Sequence, residues 1–420
     1  MRAGKTHAPR QWSHRQTGTR PCLRDHRADP HPKRMKPKRI MLIAGEPSGD
    51  LLAAELVTEL KKQSEVDCFG VGGPRMKTAG VDLSFDMTAH AVIGLCEVIK
   101  RYFTFRRFLY QLLELAVERR PDVIICVDFG GFNSRLIATF RDYQRHYLSH
   151  TGWNPKIVQY VSPQVWASRP GRANKMARDF DLLLSILPFE REWWNERLPG
   201  FHVEFVGHPI VGRHAGKRRT AKKPNNPPLV AIMPGSRRGE LAKHLPVVVD
   251  AARSIASATP AAFRILLPND EMHELATRAV QGIPNCTIQH GNPESLLVKA
   301  DVALTKTGTI TLECAMHRLP AVAFYKTSPL TYQIGKRLVK VPYLSMPNLL
   351  AKQAVYPEFV QDDATPENLA NAVIDLLQDE DRYAGVSLQL EELTRNLGKP
   401  GAPARAAQEV MRLCTALEHP

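Results

Sequence analysis

Two turns in this sequence carry carboxylates at the point where an apolar run gives out. In "IMLIAGEPSGD" (40–50) four apolar residues lead into Gly45, Glu46, Ser48, Gly49 and Asp50, at the start of a helical pattern. In "ICVDFGGFNSRL" (125–136) an apolar run ends at Asp128, followed by two glycines and Asn133. A carboxylate at the carboxyl end of a buried strand faces a cleft, partly desolvated, where it can take a proton from a hydroxyl. The competing reading of Asp128 is a helix cap through its side-chain oxygen; position alone leaves both open. A strand, a glycine turn and a helix start also make the usual anion cradle. Two carboxylates, however, suit hydroxyls better than phosphates.

Two further turns have the opposite chemistry. "MPGSRRGEL" (233–241) places Gly235 and Ser236 before a helix beginning near Arg237, where backbone N–H groups with Arg237 or Arg238 would bind a diphosphate. "LTKTGTITLECA" (304–315) offers Thr307, Gly308 and Thr309 at another helix start, with hydroxyls and amides for a second phosphate. Glu313, one turn on, could accept from a ribose hydroxyl pair or be an ordinary first-turn glutamate favoured by the helix dipole. His208, in "FVGHPIVG" (205–212), is a lone histidine and carries little weight by itself.

These turns need elements to hold them. Short apolar runs at 39–45, 66–73, 122–131, 156–163 and 181–189 read as buried parallel strands, separated by amphipathic helical stretches such as 50–63 and 103–119. The alternation restarts at 229–236, 263–268, 286–291, 301–308 and 320–326, with helices expected at 238–257, 270–281, 293–299 and 309–318. The fold class is therefore α/β, with two doubly wound parallel sheets facing a cleft. The expected divisions are a basic extension (1–38), a first domain (39–211), a basic linker (212–228) and a second domain (229–384). A helical segment (385–420) is expected to pack back on the first domain.

Hydrophobic and charged contents of 43% and 24% are those of a globular protein, and no apolar run approaches the ~20 residues of a membrane span. The seven cysteines are scattered without CxxC spacing, which argues for a reducing compartment and against a structural zinc site. The net charge of +15 is concentrated in two stretches: residues 1–39 hold twelve Lys/Arg against Asp25 and Asp29, and Arg213–Lys223 adds six basic residues and no acid. The tail lacks the apolar core of a secretory signal. It reads as a disordered extension or as sequence upstream of a start at Met35; a nucleic-acid-binding arm is the alternative. In "GLCEVIKRYFTFRRFLYQLLEL" (94–115) basic and aromatic residues interleave on a helix, which suits a lipid headgroup surface or a core helix with basic flanks.

Taken together, "AGEPSGD", "GVGGPRM", "IGLCEV", "YVSPQVWA", "FVGHP", "PGSRRGE", "TGTITLE" and "LSMPNLLA", from about Met41 to Ala351, resemble the blocks of the lipid-A-disaccharide synthases, in their order. The resemblance implies a GT-B glycosyltransferase with two Rossmann-like domains, the first receiving the acceptor and the second the UDP sugar. It implies inverting transfer of 2,3-diacylglucosamine from UDP to the 6-hydroxyl of 2,3-diacylglucosamine 1-phosphate, giving a β-1,6 disaccharide phosphate and UDP in lipid A biosynthesis. Asp128 matches the family's essential aspartate, Arg237 its phosphate-binding arginine and Glu313 the ribose position. Gly235, Ser236, Lys306, Thr307, Gly308 and Thr309 complete the expected donor site. Ser48, Asp50, Asn133, His208 and Asn348 are expected at the acceptor or cleft. No metal and no cofactor is expected.

A cytoplasmic protein is expected, peripheral on the inner face of the inner membrane, with the interleaved helix touching lipid through Lys100, Arg101, Phe103, Arg106 and Arg107. A homodimer is a candidate assembly, and no nucleic acid is expected. The chain departs from the family pattern at Gly131, where many members carry a second aspartate, which makes Glu46 a second candidate base. Lys306 stands where a small polar residue is common. The rival readings are another GT-B UDP-N-acetylglucosamine transferase or epimerase acting on unacylated sugars, and a basic nucleic-acid-binding protein.

Overall fold

The computed structural model describes residues 36–90, 98–216, 225–267 and 272–415. The expectations for the tail before residue 36 and for 217–224 of the basic linker lie outside the described residues. Thirteen strands are described, in two all-parallel sheets. The first contains β1 (Lys38–Ala44), β2 (Val66–Gly72), β3 (Asp82–Asp86), β4 (Val123–Val127), β5 (Lys156–Tyr160), β6 (Leu182–Ser185) and β7 (Val203–Phe205). The second contains β8 (Leu229–Met233), β9 (Ala262–Leu267), β10 (Cys286–His290), β11 (Val302–Lys306), β12 (Ala321–Tyr325) and β13 (Glu358–Val360).

The strand orders are β3-β2-β1-β4-β5-β6-β7 and β10-β9-β8-β11-β12-β13. In each sheet the chain works outward in one direction, then returns to the centre and works outward in the other. The reversal falls between β1 and β4 in the first sheet and between β8 and β11 in the second. Ligands of doubly wound sheets sit at this switch point, beyond the carboxyl ends of the two central strands. All four turns singled out above follow these four strands.

The central strands read as unbroken apolar runs because helices cover both faces. All five residues of β4 are buried. Successive side chains point to opposite faces, so Met41 and Ile43 pack with Leu112, Phe140 and Trp194, while Ile40 and Leu42 pack with Leu56, Leu60 and Val410. The second sheet repeats this, with Val230 and Ile232 on one face and Ala231 and Met233 on the other.

The chain crosses between the lobes twice. The helix Pro209–Arg213, after the first lobe's last strand, sends Ile210 and Val211 into the second lobe's core. The helix Ala402–Thr415, at the far end, sends Ala406, Ala407, Val410 and Cys414 into the first lobe's core. The expectation that everything from 385 packs on the first lobe therefore needs correcting. Leu390, Leu393 and Leu397 belong to the second lobe's core, and the crossing comes at Gly398–Gly401. The two crossings touch: the His208 N–H donates to the Leu397 carbonyl (2.8 Å), and a side chain added to Gly398 would meet Gly207 Cα at 3.1 Å. Among the described residues no helix is long and apolar enough to cross a membrane.

Candidate active site

The β1 turn is built by close packing. The helix Pro47–Gln63 starts with Glu46 as its cap residue and Pro47 in its first turn, where the missing N–H costs nothing. Gly45 is required because a Cβ there would lie 2.5 Å from the Phe129 ring, and Gly49 because its own would press on the Val127 carbonyl at 3.2 Å. Asp50 turns away from the cleft. It is 2% exposed, and its carboxylate accepts from the backbone N–H groups of Gly73 (2.8 Å), Arg75 (3.0 Å) and Met76 (3.0 Å). The expectation that Asp50 meets the acceptor is corrected: it serves the start of the short helix Pro74–Thr78, and its loss would strand the buried N–H groups of Gly73 and Met76 at about 1–3 kcal/mol each.

The β4 turn is strained and heavily pinned. Asp128 (φ 53°) and Phe129 (φ 45°) are left-handed, as is Val161 (φ 71°) after neighbouring β5. A β-branched residue in that region is an outlier that persists only where its surroundings hold it. Gln159, fully buried, donates from Nε2 to the carbonyls of Asp128 (3.1 Å) and Val161 (3.1 Å). Asn133, also fully buried, donates to the Asp128 carbonyl at 2.7 Å, and Asp128 N–H donates to Tyr160 O at 2.9 Å. Asn133 thus supports Asp128 from behind and does not line the cleft. The Asp128 carboxylate is left facing outward, accepting from the Ser48 hydroxyl at 3.2 Å. Gly131 is exposed, and a Cβ there would meet nothing within 4 Å.

The second lobe's turns use glycine and cations. Gly235 (φ 136°) and Gly308 (φ 133°) both adopt conformations that L side chains avoid. Arg237 caps the helix Arg238–Ala258 with its side chain 65% exposed, and Thr309 begins the helix Thr309–Met316. A carboxylate of this same lobe lies at the turn: Glu240 accepts from Lys306 Nζ (3.0 Å) and Ser236 N–H (3.4 Å), and lies 3.9 Å from Arg237. Burial works against its ionisation, but Lys306 and Arg237 hold its pKa below the ordinary value. His244 braces the turn from beneath, with Nδ1 2.6 Å from Pro234 O and Nε2 accepting from Lys326 N–H at 3.1 Å. Burial depresses its pKa, so it serves as a neutral brace.

Glu46 feels charges from both lobes. Its pKa is raised by burial and by the negative charge of Asp128, with partial compensation from Arg237 in the other lobe. Glu313 is raised by burial, offset in part by Arg213, which itself pairs with Glu55 of the first lobe through two bonds of 2.7 and 2.8 Å. His208 caps Pro209–Arg213 by accepting the Ile210 N–H at 3.1 Å; burial and the Arg213 charge depress its pKa to about 3, so the ring is neutral with its proton on Nε2. Asn348 is corrected outright. Fully buried, it accepts from Val355 and Tyr356 N–H (2.9 and 2.8 Å) and donates to Tyr356 O and Glu358, stapling the loop before β13.

Sequence reasoning passed over Glu240, His244, Gln159 and Glu190. Glu240 could have been found as the residue three after a helix cap, where glutamates reach back to orphan donors. Gln159 is the one polar residue inside "KIVQYV". Glu190, 1% exposed, accepts from Trp166 Nε1 (3.0 Å) and Leu187 N–H (3.3 Å), and burial pushes its pKa up to about 7. In the helix Val98–Arg119, Arg106 and Arg107 are exposed, but Phe108 is core and Phe105 packs on Phe129 and Phe132. The side chains of Lys100, Arg101 and Phe103 lie outside the described residues.

Two doubly wound parallel-sheet lobes, each with its glycine turns at the switch point, make up the GT-B architecture. The fold matches an S. aureus MnaA–UDP co-structure (TM-score 0.59, 13% identity, 90% of this chain and 97% of that one) and Acinetobacter baumannii MurG (TM-score 0.55, 15% identity, 90% and 100%). A family model described as Lipid-A-disaccharide synthetase matches residues 40–411. Lipid-A-disaccharide synthases of Anaeromyxobacter sp. (strain K) and Pseudomonas paraeruginosa (strain DSM 24068 / PA7) are 35% and 36% identical over 382 and 388 residues. Each alignment covers 89% of this chain, and 97% and 98% of the respective relative. The chain belongs to the lipid-A-disaccharide synthetase family and is a hexosyltransferase.

Proposed function

We propose that this chain transfers 2,3-diacylglucosamine from its UDP donor to the 6-hydroxyl of 2,3-diacylglucosamine 1-phosphate, with the first lobe holding the acceptor and the second the donor. The observation that carries the reading is the pair of switch-point sites: Asp128, accepting from the Ser48 hydroxyl at the carboxyl end of β4, and Lys306 and Arg237, gathered around Glu240 at the turns after β8 and β11.

Asp128 takes the proton of the acceptor hydroxyl as its oxygen attacks the anomeric carbon. The bond from that carbon to the diphosphate breaks with its electron pair leaving on UDP, and the configuration inverts. Ser48, bonded to Asp128, and Glu46 beside it orient the acceptor hydroxyls. Charge developing on the leaving diphosphate is met by Arg237, Lys306, the backbone N–H groups around Gly235 and Ser236, and the Thr307–Thr309 turn. Lys306 is already held at the turn by Glu240, and the diphosphate takes that carboxylate's place among the same donors. Glu313 receives the ribose hydroxyls. The pinned, strained backbone at Asp128 keeps the base from reorienting as charge moves. The exposed Arg106 and Arg107 bring the protein peripherally to the inner face of the inner membrane, where both acylated substrates reside.

Purified protein given the acylated donor and acceptor should release UDP in step with disaccharide phosphate. Release with unacylated UDP-N-acetylglucosamine alone, and none with the acylated pair, would assign it to the other GT-B reading.

A further inference from the structure

The helix Pro329–Leu338, in the second lobe after β12, buries none of its residues. Leu330, Ile334 and Leu338 are spaced i, i+4 and i+8, share one face, and are 67%, 52% and 37% exposed. Exposed apolar side chains scattered singly are ordinary; a contiguous stripe marks a surface that is covered in use. Arg337 flanks the stripe, while Tyr332 and Gly335, on the other side, are partly covered.

The helix is held at its ends. The Ser328 hydroxyl accepts from Thr331 N–H at 3.2 Å, and Pro329 occupies the first turn. Just past the other end, Lys340 N–H donates to the Ala167 carbonyl of the first lobe at 2.8 Å. Ten residues are too few for a stable helix in water without packing, so covering the outward face would add to what the caps supply.

The charge around the stripe selects the cover. On the helix and just past it Lys336, Arg337 and Lys340 are exposed, and residues 326–357 contain no acid. Two copies of this surface would repel each other, and three side chains fall far short of the ~800 Å² per partner of a stable protein interface. An anionic bilayer satisfies both halves: apolar side chains enter the boundary between headgroups and acyl chains, and basic ones meet the phosphates.

We propose that Pro329–Leu338 is a membrane-docking helix, with Leu330, Ile334 and Leu338 inserted into an anionic lipid surface and Lys336, Arg337 and Lys340 on its headgroups. This deepens the reading above, which rests the first lobe on lipid through a different helix. It gives the second lobe a lipid contact of its own, and the Lys340–Ala167 bond links the docking site to the first lobe.

The test is co-sedimentation of the full chain with vesicles of phosphatidylglycerol and phosphatidylethanolamine, against vesicles of phosphatidylcholine alone. Replacing Leu330, Ile334 and Leu338 together by Ser should weaken binding to the anionic vesicles by about tenfold or more, with circular dichroism unchanged. Replacing Lys336, Arg337 and Lys340 by Ser should weaken it by about fivefold per charge at low salt and leave binding to phosphatidylcholine unaltered. Binding by both variants within about twofold of wild type would overturn the proposal. So would a wild-type dimer that the apolar variant turns into monomers while vesicle binding persists, which would assign the stripe to a second copy. Absent UDP release with vesicle binding intact and sensitive to these substitutions would leave the docking helix standing and refute only the transfer reaction.

Discussion

The first-lobe and second-lobe turns occupy the same place in the same topology and carry different charged groups. After β1 and β4 the chain presents Glu46, Ser48 and Asp128 on a backbone strained at Asp128, Phe129 and Val161 and pinned by Gln159 and Asn133. After β8 and β11 it presents Arg237, Lys306 and open backbone on glycines with positive φ. Glycine itself serves different ends: Gly45 makes room for the Phe129 ring, whereas Gly235 and Gly308 adopt the conformation of the turn. A switch point thus supplies a location, and the charges at the turn and the polar residues buried beneath it are where the two lobes differ, as the proposed division between acceptor and donor requires.

The comparison can be broken from either side. If the first lobe performs the proton transfer, Asp128→Asn should lower kcat by about a hundred- to ten-thousandfold with donor KM nearly unchanged. Turnover close to wild type would move the base to Glu46. If the second lobe only binds, Arg237→Ala should weaken UDP binding by about ten- to hundredfold, the worth of a charge-assisted phosphate contact, as read by titration calorimetry. Unaltered UDP affinity would dissolve the assignment of that turn.

Glu190 is one of the buried acids of the first lobe, with Asp50 and Asp179. Glu190 keeps its proton in the folded state up to about pH 7, while the unfolded chain releases it near 4.5. The folded state then binds more protons between those values, so stability should fall as pH rises through that window and level off above it. The total is about 3 kcal/mol, and Glu190→Gln should remove it. Urea melts of the two proteins at pH 5 and pH 8 measure the difference; parallel pH dependence would mean that Glu190 stays ionised.

The long central strands were legible in the sequence because burial on both faces leaves an unbroken apolar run. β3, β7 and β13 were not. β3 alternates partly covered with exposed residues at a sheet edge, and the other two are three residues each. The four turns were readable from composition because glycine, carboxylates and arginine cluster where apolar runs end. Direction was not readable. Asp50 lies four residues from Glu46, yet it points into the protein to serve three backbone donors. Asn348 lies in a recognisable block and is consumed by a loop. The residues that pin the site, Gln159 and His244, act through main-chain carbonyls and amides brought close only by strand pairing and helix packing.

The most direct test of the division between lobes is UDP binding to Asp128→Asn, measured by titration calorimetry beside the wild-type protein. A Kd within about twofold of wild type, in a protein that has lost turnover, is the predicted result. A tenfold or greater loss of UDP affinity would put Asp128 on the donor side and contradict the account.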